Sequence, residues 1–195
     1  MQPIDLLKTV HTMLGFNDTD KQNLMAMGKI LTAHGDALAE MFYAALDTSP
    51  ISKGILDAEP DRRAKLHGTL VKWYTEVFSG KYDDAYAQGR WIVGLMHVKL
   101  GIPPMFVVGS IENVYRFSAK KLSEAAGQLG GPVEGFVESL TKMLNTDLAF
   151  IEQSYADSTL KAMASEMGAN EQIFRRFMTK GATELLEEAR AGKFS

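Results

Sequence analysis

Apolar side chains recur at intervals of three and four residues along almost the whole of this 195-residue chain. That interval places them on one face of an α-helix, whereas a half-buried β-strand alternates apolar and polar residues. No stretch of four or more residues shows clean strand alternation between turn signals. The sequence therefore predicts an all-α protein.

Turn and capping residues divide the pattern into successive helices. Thr19 is expected to cap the second helix, and the helix that begins at Asp36 must end before Pro50 because the residue before a proline disfavours helical geometry. The acidic residues of 57–61 are expected at the positive end of a long helix. The predicted helices cover residues 3–13, 20–33, 36–49, a turn or two in 51–56, 57–78, 83–100, 105–125, 132–164 and 170–190.

Composition narrows the class of protein. With 46% apolar and 23% charged residues, the chain suits a single domain with one core. A net charge of -3 without any run of Lys and Arg argues against a nucleic-acid partner. No uninterrupted apolar window is long enough for a signal peptide or a membrane span. The absence of cysteine excludes disulfides and thiolate metal sites, and it fits the cytoplasm, where we expect the protein.

One histidine lies in an unusually apolar segment. His97 is near the end of a predicted helix, and neutral imidazole in such a setting needs a partner. It is either a core histidine bonded to a backbone carbonyl or an axial ligand of haem iron. The second role requires one ring nitrogen to face the metal while the other donates to a carbonyl one turn back, such as that of Val93. Periodicity alone does not choose between them.

Three stretches of sequence together resemble the sensor-globin domain of globin-coupled sensors, which include haem-based aerotaxis transducers and globin-linked diguanylate cyclases. They are a Phe-Tyr pair in 41–46, a Phe-Ser-Gly turn before an acidic helix start in 77–86, and the run from Ile92 to Pro104 that contains His97. The resemblance extends over residues 14–104, about half of the chain, and the two long helices that follow fit in length.

This resemblance implies haem b as the cofactor, His97 as the proximal iron ligand and Tyr43 as the distal hydrogen-bond donor. It implies reversible binding of O2, with CO and NO as further ligands. A hydroxyl donor in a pocket of low dielectric favours O2, which polarises more on iron than CO does. The other side chains expected against the haem or its ligand are Phe42, Leu66, Thr69, Leu70, Trp73, Met96 and Phe106.

Alternatives remain for two of these residues. The alternative for Tyr43 is a tyrosine whose ring packs in the core with its hydroxyl at the edge of the core. The alternative for Thr69 is a hydroxyl bonded to the backbone carbonyl four residues earlier. Leu66, Thr69, Leu70 and Trp73 share one helix face, which is consistent with a pocket wall.

The sequence departs from the family just after the double proline. Phe106 and Val107 occupy the positions where many relatives carry an aromatic pair. The chain therefore lacks the polar aromatic residue that is proposed to relay the state of the bound ligand in those relatives. His67 is about 100° around the helix from Leu66, so distal coordination would need that helix to roll. The alternative to a bis-histidine iron is a His67 that faces solvent or a propionate. His11 and His34 are expected at the surface, and the candidate propionate partners are Lys65, Lys72, Arg90 and Lys99.

The predicted organisation is a sensor-globin domain over residues 1–165, with an extra N-terminal helix and no long D helix, followed by a C-terminal helical extension over 166–195. The resemblance implies a homodimer through the last two globin helices, for which the apolar stripe in 133–155 is long enough. The expected role is a gas sensor rather than an enzyme. The alternatives are a nitric oxide dioxygenase, a bis-histidine redox globin and a haem-free helical signalling module.

Overall fold

The computed structural model describes residues 2–168 and 170–193, and all the regular structure in those two ranges is helical. Two short 3-10 turns, Thr32–His34 and Ala126–Gln128, join longer α-helices. The α-helices of the described ranges are α1 (Pro3–Met13), α2 (Asp18–Leu31), α3 (Gly35–Leu46), α4 (Pro50–Leu56), α5 (Arg62–Val77), α6 (Asp84–Lys99), α7 (Pro104–Glu124), α8 (Val133–Glu166) and α9 (Glu171–Arg190). The all-α prediction is confirmed.

Helix α2 begins slightly earlier than the sequence predicts, at Asp18. Asn17, in extended geometry, is its cap: its side chain accepts from Thr19 N at 2.8 Å, and its own N–H donates to Asp20 at 2.9 Å. This reciprocal pair satisfies backbone donors that the helix leaves free. The prediction of Thr19 as the cap is therefore wrong, because Asn17 already occupies that position.

Helix α5 begins later than predicted, at Arg62. Asp61 precedes it with a φ of 60°, in the left-handed region, so the acidic residues of 57–61 form a bend and not a first helical turn. One of them has a different use, because Asp57 accepts from Arg63 at 2.6 Å. Arg63 also reaches Asp47, at the end of α3, at 2.6 Å. The bend thus fixes how α5 leaves α4 and approaches α3.

Helix α8 is the centre of the fold. It packs against α1, α2, α6 and α7, and α3 packs against α5 and α7. The largest of the fully buried apolar side chains are Tyr74, Phe150, Leu7, Leu24, Met27, Leu31, Leu38, Leu122, Leu140, Met143 and Leu144. The predicted site residues are carried by α3, α5, α6 and α7, and of these helices α6 and α7 pack directly against α8.

Gly94 lies at a tight contact between α6 and α8. A Cβ at this position would lie 2.6 Å from the Cβ of Ser154 and 3.2 Å from the Cα of Ile151. Only glycine lets two helix backbones meet this tightly. The contact holds α6 against the central helix three residues before His97.

Helix α9 returns along the last part of α8. Phe174 is its one buried side chain among the described residues, and it packs with Leu160 and Ala164 of α8. Within residues 2–168 and 170–193, none of the helices combines the length and the apolar character needed to cross a membrane.

Candidate functional site

His97 is in the last turn of α6 with one ring nitrogen already engaged. Its Nδ1 lies 2.8 Å from the carbonyl oxygen of Val93, one turn back. Burial lowers the pKa of His97, against the opposing effect of this hydrogen bond, so the imidazole is neutral near pH 7. A neutral ring that donates through Nδ1 presents an unprotonated Nε2, which is a ligand for a metal.

The chain holds the end of α6 in place beyond His97. Gly101 takes a φ of 65° to end the helix, and the N–H of Ile102 donates to the carbonyl of His97 at 3.0 Å. The hydroxyl of Tyr155, on α8, donates to the carbonyl of Ile102. These contacts limit rotation of the helix turn that carries the imidazole.

Helices α5 and α6 are joined at one end by Arg90. Its guanidinium donates to Glu76 at 2.8 Å and to the carbonyl of Trp73 at 3.4 Å. Trp73 and Glu76 are in the second half of α5 and Arg90 is on α6, so these contacts join the two helices across the connection 78–83.

Tyr43 lies on α3, which packs against α5. Its ring is half-buried and meets the ring of Phe42 edge-on, with centroids 5.3 Å apart. Burial raises the pKa of Tyr43 to about 12, so its hydroxyl stays protonated and able to donate. Phe42 packs against the main core.

The remaining predicted pocket residues differ in exposure. Leu66, Leu70, Trp73 and Phe106 are half-buried, whereas Thr69 and Met96 are exposed. The Thr69 hydroxyl donates to the carbonyl of Lys65 at 2.9 Å, which is the alternative that the sequence left open for it. In this structure its donor is used within α5.

His67 lies on α5, and its side chain extends towards α3. Its Nε2 is 3.9 Å from a carboxylate oxygen of Asp36, and about a third of its side chain is exposed. It is a neighbour of Leu66 in sequence but not on the face that Leu66 shares with Leu70 and Trp73. The structure therefore directs His67 towards an acid on α3.

A buried polar cluster around Asp147 was not predicted from the sequence. Asp147, on α8, is 1% exposed and accepts from Trp73 Nε1 and from the Tyr86 hydroxyl, each at 2.8 Å. Arg90 Nε lies 3.0 Å from the same carboxylate, an ionic contact rather than an aligned hydrogen bond. The one feature of the sequence that could have indicated this cluster is the presence of an aspartate between Leu144 and Leu148, in the apolar stripe of α8.

This cluster corrects one sequence expectation. Arg90 was a candidate partner for a haem propionate, but its side chain is 3% exposed, pairs with Asp147 and Glu76, and stacks over the Tyr86 ring at 4.2 Å. Its charge is therefore already neutralised inside the protein. Lys65, Lys72 and Lys99 are exposed.

His11 is also not the surface residue that the sequence predicts. Its ring is half-buried and stacks on Phe16 with centroids 4.1 Å apart. Its Nε2 is buried with no hydrogen-bond partner among the described residues, and burial lowers the pKa of His11 against the raising effect of Asp20. The reason is that α1 lies against the core, so that its last turn faces Phe16 and Tyr82. His34 is half-buried at the end of a 3-10 turn.

The donor set fits haem better than a free metal ion. In the part of the chain that the structure describes, no three side chains of His, Asp or Glu converge as a metal site. A single neutral imidazole whose Nδ1 is bonded to a backbone carbonyl has the form of the protein ligand that haem iron takes.

Comparison with known proteins places the chain in a family. The family model described as Protoglobin matches residues 5–161. The curated heme-based aerotactic transducer HemAT of Halobacterium salinarum is 24% identical over 168 residues, which cover 82% of this chain. The chain spans about a third, 34%, of that protein's length.

The same fold has been solved before. The globin domain of a Geobacter sulfurreducens globin-coupled sensor aligns with 76% of this chain and 96% of its own length, with a TM-score of 0.69 and 23% identity. That likeness establishes a globin fold. Because the family model spans most of the chain and agrees with this fold, the chain belongs to the protoglobin family and contains a sensor-globin domain.

Proposed function

We propose that this protein is a gas sensor that binds haem b through His97 Nε2 and holds O2 reversibly, with CO and NO as further ligands. The observation that carries the proposal is the His97–Val93 hydrogen bond of 2.8 Å. It fixes the tautomer and aims Nε2 away from its own helix. The name of the Halobacterium relative, a heme-based transducer, supports the same cofactor.

Residues on the two sides of the cofactor have different roles: one side binds the iron and the other excludes water. His97 holds the iron from α6, and the anchored turn after it keeps the imidazole in one orientation. Leu66 and Leu70 on α5 exclude water from the opposite side. When bound, haem supplies the iron atom that takes up the diatomic gas.

Tyr43 supplies selectivity among gases. Its hydroxyl remains protonated because burial raises its pKa to about 12. A hydrogen-bond donor in a pocket of low dielectric stabilises a ligand that becomes negatively polarised. Dioxygen polarises in this way more than carbon monoxide does, so Tyr43 is the residue that favours O2.

Absorption spectroscopy of the haemin-reconstituted protein tests this proposal. The protein is reduced under argon, exposed to air and returned to argon. We expect a Soret band that shifts reversibly with O2 in the wild type and in the control variant His34→Ala, and loss of stable haem binding in His97→Ala. A His97→Ala protein that keeps the wild-type spectrum would contradict the assignment of the ligand.

The resting coordination is read from the same experiment. A five-coordinate spectrum in the reduced protein under argon supports a free gas site. A reduced spectrum that is already low-spin would instead favour a bis-histidine iron with His67, and it would require His67 to leave Asp36.

A further inference from the structure

Arg63 joins the end of α3 to the start of α5. It is the second residue of α5, and Asp47 is the residue that ends α3. The Nη1 and Nη2 atoms of Arg63 donate to the two carboxylate oxygens of Asp47, at 3.1 and 2.6 Å, and its Nε donates to Asp57 at 2.6 Å. We call the two-bond pair of Arg63 with Asp47 the α3–α5 clamp.

The geometry of the α3–α5 clamp suits a role in positioning. Most exposed ion pairs contribute little to stability, because long side chains lose entropy and solvent screens the charges. A planar guanidinium that meets a planar carboxylate through two parallel bonds fixes direction as well as distance. The bond to Asp57 engages a further N–H of Arg63, so the guanidinium cannot turn without losing an acid. These hydrogen bonds from Arg63 lower the pKa of Asp47, which is ionised near pH 7.

The α3–α5 clamp is one helical turn from two residues of the proposed gas pocket. The N–H of Asp47 donates to the carbonyl of Tyr43 at 3.0 Å, so Tyr43 belongs to the turn that ends at the clamp. Leu66 is three residues beyond Arg63 on α5, also one turn away. A shift at the clamp would therefore move Tyr43 relative to Leu66.

The Tyr43 hydroxyl depends on its own turn for its position. Burial alone raises the pKa of Tyr43, and no hydrogen bond from the described residues to its hydroxyl contributes. The first residue of α3, by contrast, is held by packing: a Cβ at Gly35 would lie 3.0 Å from Cγ1 of Val71 on α5. Loosening the clamp would thus free the end of α3 that carries Tyr43 while its start stays against α5.

We propose that Arg63 and Asp47 are positioning residues for the Tyr43 hydroxyl. They hold the last turn of α3 against α5, so that the hydroxyl stays where it can donate to the gas ligand. Neither residue touches that ligand, and both act through Tyr43. The inference rests on the proposed function, in which Tyr43 is the donor that favours O2.

A double-mutant cycle in the haem-loaded protein tests the proposal. O2 and CO dissociation are measured by stopped flow in Asp47→Asn, Tyr43→Phe and the variant with both changes. We expect Asp47→Asn to speed O2 dissociation about threefold, a coupling of the size seen for residues in one hydrogen-bond network, and to change CO dissociation much less. Once Tyr43 is phenylalanine, Asp47→Asn should add nothing.

The matched control removes an exposed ion pair elsewhere. Glu124→Gln breaks the 2.8 Å pair of Lys121 with Glu124 at the end of α7, and it should leave both dissociation rates unchanged. Arg63→Lys separates geometry from charge, because lysine keeps the charge and cannot form the two-bond fork. We expect it to lose O2 as fast as Asp47→Asn. Wild-type rates in Arg63→Lys would contradict positioning by the fork.

Hydrogen exchange in the haem-free protein gives a measurement that does not depend on gas binding. Mass spectrometry of peptides should show faster exchange in residues 43–49 of Asp47→Asn, with residues 35–39 and the whole of Glu124→Gln as in the wild type. Faster exchange throughout α3 would show a general loss of stability and would contradict a local role.

The cycle separates failure of this inference from failure of the proposed function. If Tyr43→Phe leaves O2 dissociation unchanged, Tyr43 is not the donor and both proposals are overturned. If Tyr43→Phe speeds O2 dissociation and Asp47→Asn does not, the positioning role alone is overturned. An equal effect of Asp47→Asn with and without the Tyr43 hydroxyl would also overturn it, because the clamp would then act on the pocket by another route.

Discussion

The indole N–H of Trp73 donates to Asp147 across 2.8 Å, and through this bond a helix of the predicted pocket is tied to the central helix. Tyr86 and Arg90 bring α6 to the same carboxylate. Three helices, α5, α6 and α8, thus share one buried acid. Buried charges are tolerated when they are paired and hydrogen-bonded, as Asp147 is on both oxygens.

Replacing this acid is expected to be costly. Asp147→Asn keeps the shape of the side chain but leaves the buried Arg90 with Glu76 as its one ion-pair partner, and we expect a loss of about 3–5 kcal/mol in the free energy of unfolding. Urea denaturation followed by circular dichroism measures it. Glu152→Gln, an exposed position on α8, is the matched control and should change stability by no more than about 0.5 kcal/mol. Equal effects in the two variants would contradict the role of the cluster.

Replacement by alanine is expected to have opposite effects on stability at two glycines of α6. Gly94→Ala forces a Cβ against Ser154 and the Ile151 backbone, and we expect it to destabilise the fold by about 1–3 kcal/mol. Gly89→Ala meets no atom within 4 Å and should stabilise α6 by up to about 1 kcal/mol. Thermal unfolding of both variants compares them. A stable Gly94→Ala protein would mean that α6 and α8 have room to separate.

His11 should make the fold sensitive to mild acid. Burial lowers the pKa of His11 in the folded chain below the ordinary value of 6.5. Below pH 6.5 the unfolded chain binds a proton that folded His11 does not, so this contribution to stability is present above pH 6.5 and is lost as the pH falls. His11→Phe keeps the stacking on Phe16 and should show a shallower loss of stability between pH 7 and pH 5 in urea titrations. His97, whose pKa is lowered in the same direction, accounts for part of what remains.

A substitution in the same turn serves as the control for His11. Met13→Phe changes an exposed apolar residue and should leave the pH dependence of unfolding as in the wild type. If His11→Phe behaves in the same way as Met13→Phe, the buried imidazole is not the source of the acid sensitivity.

Tyr43 should affect O2 more than CO. Removal of its hydroxyl in Tyr43→Phe is expected to speed O2 dissociation from the haem-loaded protein about tenfold, the equivalent of roughly 1.4 kcal/mol from a lost hydrogen bond. Stopped-flow mixing with a competing ligand measures the rate. CO dissociation should change much less, and Tyr115→Phe on α7 should leave both rates unchanged. Equal changes for the two gases would indicate altered pocket shape instead of a lost donor.

His67 is expected to have no part in iron ligation. Since its ring faces Asp36, His67→Leu should leave the absorption spectrum of the reduced, gas-free protein unchanged. The change of a low-spin spectrum to a five-coordinate one in this variant would show that His67 reaches the iron.

Local signals in the sequence predicted most of the helices. The end of α1 at Met13, the break before Pro104 and the end of α5 at Val77 all follow from glycine, proline or capping residues within a few positions. The start of α5 was missed because it depends on the left-handed geometry of Asp61 and on contacts of Arg63 with Asp47 and Asp57. Such contacts join segments that sequence reasoning treats separately.

In the candidate site too, contacts within one helix could be predicted and contacts between helices could not. The His97–Val93 hydrogen bond was predictable because both residues lie on one helix, one turn apart. The pairing of Arg90 with Asp147 was not, because it depends on how α6 crosses α8. The burial of His11 was missed for a similar reason, since a helix end that looks peripheral in the sequence packs against Phe16 and Tyr82.

The length of α8 has a mechanical consequence. It is one uninterrupted helix of 34 residues, held in the core at Asp147 and joined to α9 beyond Glu166. Beyond Asp147 it is also held at Ser154, against Gly94, and at Tyr155, which donates to Ile102. From Tyr155 to Glu166 it extends about 16 Å, so a tilt of about 5° at Tyr155 would move its far end, and the start of α9 with it, by about 1.4 Å.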